Sequence, residues 1–371
     1  MKLWKRLAVW MIVLAIAVSL APAARAVSTY SSTPTSPVWK TYKASLHYFF
    51  QQLNYTEKCA FSCMYDAIAL GKPEQWSIYG FSLTSSQRLR VYYAIKYDCP
   101  ELMFADYQFS DFSKSSELLK QTKILNEYLP KTVKILDKIK KQSDYQGGSF
   151  NRQVALDQYI VKNCKYVLDD KVYQGNRVVY KGRRAAYSVF INKIAVCEGY
   201  ARAVQFALRY FGVPCLYVYG DADGSHAWNM VQLAGDWYQY DATWNDTDNS
   251  KLTTEYMPYF NLTDSMMGRS HTLDREASKT YGFSLPYCYA TKWEYTRQKG
   301  LYAGSNWKSK FSTMIKKAKK AKKRGIGFRF SDRKYYNAAL SALGKGTRGL
   351  GLTGRYYYWW IDDALYIYIK W

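Results

Sequence analysis

A thiol, an imidazole and a carboxylate follow one another within a short stretch of this chain. Cys197 opens CEGYARAVQFALRYFGVPC, His226 stands in SHAWNMVQL, and Asp241 in WYQYDATW. Together they could perform acyl transfer: the thiolate attacks a carbonyl carbon, the imidazole moves a proton, and the carboxylate fixes the imidazole tautomer and favours its protonated form. Of the three histidines, His47, His226 and His271, only His226 is set in a strand-like run among aromatic, amide and small residues suited to the floor of a site. Each residue alone has a plainer reading, since a single Cys in an apolar helix is usually a small buried hydrophobe and a lone strand His is usually structural. Their order and company favour a site.

The elements that would position them are legible around each residue. After the apolar turn Ile194-Ala195-Val196, residues Tyr200, Ala201, Val204, Ala207 and Leu208 recur at helical spacing, which predicts a helix beginning at Cys197. Unpaired N–H groups and partial positive charge at that end would lower the thiol pKa below its usual value of about 8.5. MVQL and WYQYDATW read as strands joined by Ala234-Gly235-Asp236, a hairpin that would set His226 and Asp241 side by side on neighbouring strands. The backbone N–H of Cys197 is the expected oxyanion donor, and no second donor is nameable. Trp228 and Trp244 suit a cleft wall and core packing equally, and Glu198 and Asn229 are similarly open.

The blocks CEGYARA, HAWNMV and YDATWND, in this order and spacing, resemble the core motif of the bacterial transglutaminase-like superfamily, a branch of the papain-like cysteine fold. The likeness extends over residues 91–260 and is strongest over 186–246, with fainter echoes in YYAIKYDCPELMF (92–104) and LDQYIVKNCKYVLDD (156–170). It implies Cys197 as nucleophile, His226 as general base and acid, and Asp241 as the residue orienting it.

Composition bounds the rest. Lys2, Lys5 and Arg6 precede a 14-residue apolar run from Leu7 to Leu20 and the small-residue pattern Ala24-Arg25-Ala26, a secretory signal expected to be cleaved after Ala26. The run is short of the roughly 20 residues needed to span a bilayer, and no other stretch is apolar enough. The seven cysteines leave six once Cys197 is set aside, an even number that permits up to three disulfides in an exported chain. Metal binding is disfavoured, since there is no CxxC pair and histidines are few. Asp221-Ala222-Asp223-Gly224-Ser225 is similar to the start of a calcium loop, but Gln232 stands where the ligating Glu would be, so it reads as a turn. No cofactor is expected.

The formal charge is +24, and residues 290–371 alone hold 19 Lys and Arg against 4 Asp and Glu. At its centre, residues 311–324 place Phe311, Met314, Ile315, Ala318 and Ala321 on one stripe with lysines around it, an amphipathic cationic helix. One reading is a packed helix with a solvated lysine face; the other is adhesion to an anionic cell-wall or membrane surface. Nucleic acid is not expected as a partner of an exported chain.

Along the chain, the spacing predicts a flexible Ser/Thr/Pro lead-in, helices from Thr56 to a Gly71 stop and from Thr84 or Ser85 to Pro100, and a long helix broken or kinked at Pro130. Another helix spans 151–167, and a final unit comprises strand IGFRF, helix YYNAALSALGK and a hairpin turning at Asp362-Asp363. The organisation expected is a signal at 1–26, a linker and helical region at 27–125, a transglutaminase-like catalytic core at 126–290, and a basic C-terminal domain at 291–371. The fold class is α+β: a papain-like core with helices packed on a small antiparallel sheet, plus a small C-terminal α/β unit. The expected function is an exported cysteine-dependent acyl-transfer enzyme acting through a thioester on amide bonds of peptide, protein or cell-surface substrates, with hydrolysis favoured. Protein cross-linking, or a non-catalytic cationic surface-binding protein on the same scaffold, are the alternatives.

Overall fold

The structure, a computed structural model, describes residues 31–41, 44–72, 81–102, 115–144, 148–168, 172–174, 177–179, 182–246 and 252–371. The leader at 1–26 lies outside the described residues. After a one-turn helix at Tyr48–Gln51 come four longer ones: α1 (Tyr55–Leu70), α2 (Ser85–Asp98), α3 (Ser115–Asp144) and α4 (Gly148–Asn163). α1 starts one residue earlier than its predicted cap, because Asn54 and Glu57 form a reciprocal capping box that leaves Thr56 inside the helix; Gly71 ends it in the left-handed conformation. Thr84 caps α2 in the same way with Gln87. α3 is not divided at Pro130 but runs its full length through it. α4 begins and ends earlier than the spacing predicts, and the chain leaves it for a short strand, Lys165–Tyr166.

The lead-in is not loose. Asp66 of α1 accepts from the backbone N–H of Thr35 and Ser36 and from the Thr35 hydroxyl, and Trp39 is buried against Phe61 and Tyr65. A Ser/Thr/Pro composition does not forbid order when a buried carboxylate offers its N–H groups a partner.

The helix α5 (Cys197–Tyr210) begins where the spacing places it. A four-stranded antiparallel sheet follows, β1 (Cys215–Asp221), β2 (Ser225–Leu233), β3 (Asp236–Tyr240) and β4 (Thr272–Leu273), in the order β3-β2-β1-β4. β2 and β3 meet at a two-residue turn in which Ala234 and Gly235 both have positive φ, the backbone a tight hairpin requires. The DADGS segment is the turn between β1 and β2. Tyr217, Tyr219 and Ala227 pack with α1 and α2, while Leu216, Val218, Trp228 and Met230 pack with Tyr259, Leu262, Met267 and Cys288 on the other face. This is the α+β architecture expected: helices on a small antiparallel sheet.

α5 is fixed by polar as well as apolar contacts. Arg202, Gln205 and Arg209 donate to the carbonyls of Lys96, Tyr97 and Asp98, so one helix satisfies the orphan carbonyls at the end of α2. Arg209 also pairs with the Asp98 carboxylate at 2.8 Å.

The C-terminal sheet has β5 (Tyr302–Ala303), β6 (Gly325–Phe330), β7 (Tyr357–Ile361) and β8 (Tyr366–Lys370) in the order β7-β8-β6-β5, with α6 (Trp307–Lys320) and α7 (Arg333–Gly344) packed on it. The hairpin turns at Asp362 and Asp363 as the pattern suggests. α6 starts at Trp307 and buries Trp307, Phe311, Ile315 and Ala318, whereas Ala321, assigned to the stripe, caps the helix and is exposed. Lys316, Lys317 and Lys320 face solvent. The unit is keyed to the rest by Arg329, which pairs with buried Glu294 at 3.0 Å and donates to the carbonyls of Ala364 and Pro258. Cys99, Cys164, Cys215 and Cys288 are buried thiols outside any disulfide, so the bridges that the even count permits do not form at these four. Among the described residues no helix is long and apolar enough to cross a membrane.

Candidate active site

Cys197 is the first residue of α5, and six of the seven cysteines are buried while Cys197 alone is part-exposed. Close packing delivers it there. Val196 donates to the Arg183 carbonyl at 3.1 Å, and Gly199 lies so near the same carbonyl that a Cβ would collide with it. The Gly of CEGY therefore sets how deeply the helix start is seated.

His226 lies at the beginning of β2, opposite Gly220 of β1. Its Nε2 is 2.8 Å from Asp241 Oδ2, and its ring and the Cys197 sulfur interact closely enough that each favours the other's charged form. The structure thus brings all three sequence-predicted residues together. One detail differs: Asp241 is not on a strand. It follows the last paired residue of β3, Tyr240, and caps a short helix, Ala242–Asn245, its Oδ1 accepting the N–H of Thr243 at 2.8 Å and of Trp244 at 3.3 Å. An Asp before Ala-Thr-Trp satisfies orphan N–H groups as an N-cap, which competes successfully with strand continuation.

The electrostatics follow from these contacts. Burial alone would push the Cys197 thiol up, but the His226 hydrogen bond and charge, together with backbone N–H groups of Ala227 and Glu198, bring it below the ordinary thiol value. Burial would lower His226, and the Asp241 and Cys197 hydrogen bonds overcome it and raise the imidazole to about 10. Burial likewise opposes the Asp241 charge, yet His226 and His271 hold the carboxyl well below the usual carboxylate range. The two directions agree in favouring a thiolate facing an imidazolium.

Two neighbours escaped the sequence reading. Tyr166 pairs with Ala195 across two short parallel strands, which sets its side chain beside Cys197, whose thiol and backbone N–H both act on the Tyr166 hydroxyl. His271 has no strand pattern around it in the sequence, yet it directly precedes β4 and its Nε2 lies 3.1 Å from Asp241 Oδ2. Both arrive by pairing between short strands distant in sequence, for which the only local signal is the scarcity of histidine. The open residues also fall into place. Trp228 donates from its indole to Gln239 at 2.7 Å and is buried; it and Trp244 both lie with ring centroids 5.9 Å from His226. Glu198 pairs with Arg202 and Arg184, and Asn229 donates to the carbonyls of Ala201 and Leu216, so both are structural.

Asp157 supports the site from α4. It accepts from the hydroxyl of Tyr240 at 2.6 Å and from Asn245 at 2.9 Å, bracketing Asp241 in sequence, and burial pushes its carboxyl up to about 7.

Residues 133–242 match the family model of the transglutaminase-like superfamily. The kyphoscoliosis peptidases of Mus musculus and Homo sapiens are each 36% identical to this chain over 84 residues, covering 18% of it. The matched part spans only 13% of the length of these curated relatives. Among solved structures, a TGase is similar over 34% of this chain and 35% of its own, at 20% identity and a TM-score of 0.27.

Proposed function

Since the chain carries a transglutaminase-like superfamily domain over residues 133–242, we propose that it is an exported cysteine-dependent acyl-transfer enzyme that cleaves amide bonds of peptide or protein substrates. The observation that supports this most is the His226 ring, bonded to Asp241 Oδ2 at 2.8 Å and interacting with the Cys197 sulfur so that thiol and imidazole favour each other's charged forms. The Cys197 thiolate forms an S–C bond to the carboxamide carbon, and the carbonyl electron pair moves onto oxygen. Cys197 N–H, at the helix start, and the Tyr166 hydroxyl beside it are the donors assigned to that oxyanion. When the pair returns, the C–N bond breaks, His226 gives its proton to the departing amine, and a thioester remains. Water, deprotonated by His226, then adds to the thioester, and release of the carboxylic acid restores the thiolate and imidazolium. An amine in place of water would give a cross-link by the same steps. Hydrolysis is favoured, because retention of an acyl group for an amine needs a closed, dry channel, and Cys197 is part-exposed.

The reading is tested by alkylation and product analysis on the mature protein. Iodoacetamide at mildly acidic pH should label Cys197 selectively, more slowly by at least tenfold in His226→Ala, and peptide amides should yield acids by mass spectrometry in a Cys197-dependent way. Labelling of Cys197 no faster than that of a free thiol compound would sink the reading.

A further inference from the structure

Asp241 serves two imidazoles. Its Oδ2 is 2.8 Å from His226 Nε2 and 3.1 Å from His271 Nε2, while Oδ1 is taken by backbone N–H groups. An oxygen with two lone-pair sites is filled by two ring donors. Behind His271, Ser270 Oγ lies 2.8 Å from Nδ1 and a longer 3.5 Å from the Met267 carbonyl, so the ring nitrogen is its nearer partner. A Ser270 hydroxyl donating to Nδ1 leaves the proton of a neutral ring on Nε2, aimed at Asp241. Ring contacts with Trp244 at 4.5 Å, Trp228 at 5.1 Å and Tyr259 at 5.4 Å hold the imidazole, whose side chain is wholly buried. The approach depends on Gly220, which sits in register between His226 and Leu273; any Cβ there would strike the Thr272 carbonyl and crowd Trp228.

We propose that His271 is a positioning residue, a second imidazole that with Ser270 fixes Asp241 Oδ2 and tempers its pull on the His226 proton. The proposal rests on the acyl-transfer reading of the same site and adds to it. Each donor to a carboxylate stabilises its charge and makes it a weaker base. A carboxylate shared between two rings therefore favours the His226 imidazolium less than an unshared one, and His226 surrenders its proton to a leaving amine more readily. The ionisable groups against His226 are Asp241 and Cys197, with Tyr166 beyond the sulfur and His271 and Tyr259 beyond the carboxylate.

His271→Phe keeps a ring in the aromatic cage and removes the donor, whereas His271→Gln retains an N–H near the Nε2 position. Followed by NMR of the ring nitrogens, His226 should titrate roughly one unit higher in His271→Phe and return towards the parent value in His271→Gln. On an amide substrate kcat should fall roughly tenfold in His271→Phe with KM unchanged. Ser270→Ala, which leaves the packing intact, should shift His226 in the same direction by less. An unmoved or lowered His226 titration in His271→Phe and Ser270→Ala, whatever the activity, would overturn the proposal and reduce His271 to packing. The NMR measurement needs no turnover: an inactive parent protein with the His226 shift intact would count against the acyl-transfer reading while supporting the coupling.

Discussion

Arg209, in the last turns of the helix that opens with Cys197, pairs with Asp98 at 2.8 Å where neither side chain is exposed, and donates as well to the carbonyls of Asp98 and Cys215. The pair joins the cysteine-bearing helix to the end of α2 and the start of β1, three elements at once. Breaking one side of a buried, hydrogen-bonded pair leaves an uncompensated charge, which costs about 3–5 kcal/mol. Arg209→Met should lower unfolding stability by that order in urea titration. Adding Asp98→Asn should recover part of the loss, because the second substitution removes the stranded carboxylate. A double variant less stable than the sum of its singles would contradict this account.

Tyr166→Phe removes a hydroxyl that neighbours both the N–H and the thiol of Cys197. If that hydroxyl stabilises the developing oxyanion, kcat should drop by about 10²-fold, the scale seen for loss of one such donor. Alkylation of Cys197 by iodoacetamide, which develops no oxyanion, should change far less. Equal losses in both assays would assign Tyr166 to the thiolate instead.

Asp157 makes stability depend on pH. Its folded carboxyl is raised to about 7 from an ordinary 3.8, so between those values the folded state holds a proton that the unfolded state has released. Stability contributed by this group is therefore present below about pH 4 and declines as pH rises to about 7, by up to about 4 kcal/mol. Asp157→Asn should flatten that slope in unfolding titrations between pH 4 and 7. The amide can still accept from Tyr240, so the variant should fold.

Cationic adhesion is tested on α6. With Trp307, Phe311, Ile315 and Ala318 buried, the charged groups on the exposed face of the helix are its lysines, and attachment to an anionic surface would be electrostatic rather than by insertion. Replacing Lys316, Lys317 and Lys320 by Gln should weaken binding to phosphatidylserine vesicles roughly 100-fold at low salt, at about 1 kcal/mol per lysine. Binding that survives high salt would point to a different mode.

How much of this was legible depended on range along the chain. The helix at Cys197 and the strands around His226 announced themselves by local periodicity, and the α+β class with its small antiparallel sheet followed from them. Asp241 was legible as a carboxylate near His226 but not as a helix cap, since WYQYD continues a strand pattern up to the residue at which the chain bends. Tyr166 and His271 were not legible, because each reaches the site through a two-residue strand whose partner is fixed only by tertiary packing. The lead-in misled for the opposite reason: its composition is that of a loop, and Asp66, far along the chain, supplies the bonds that order it.

Gly220 bears no functional group, yet it sets the spacing of those that do. A single methyl at this position would act as a shim between two strands, moving β4 and the ring of His271 outward while every nucleophile, acid and base stayed in place. An engineer preserving only the reactive side chains could therefore lose the arrangement through the smallest residue in it.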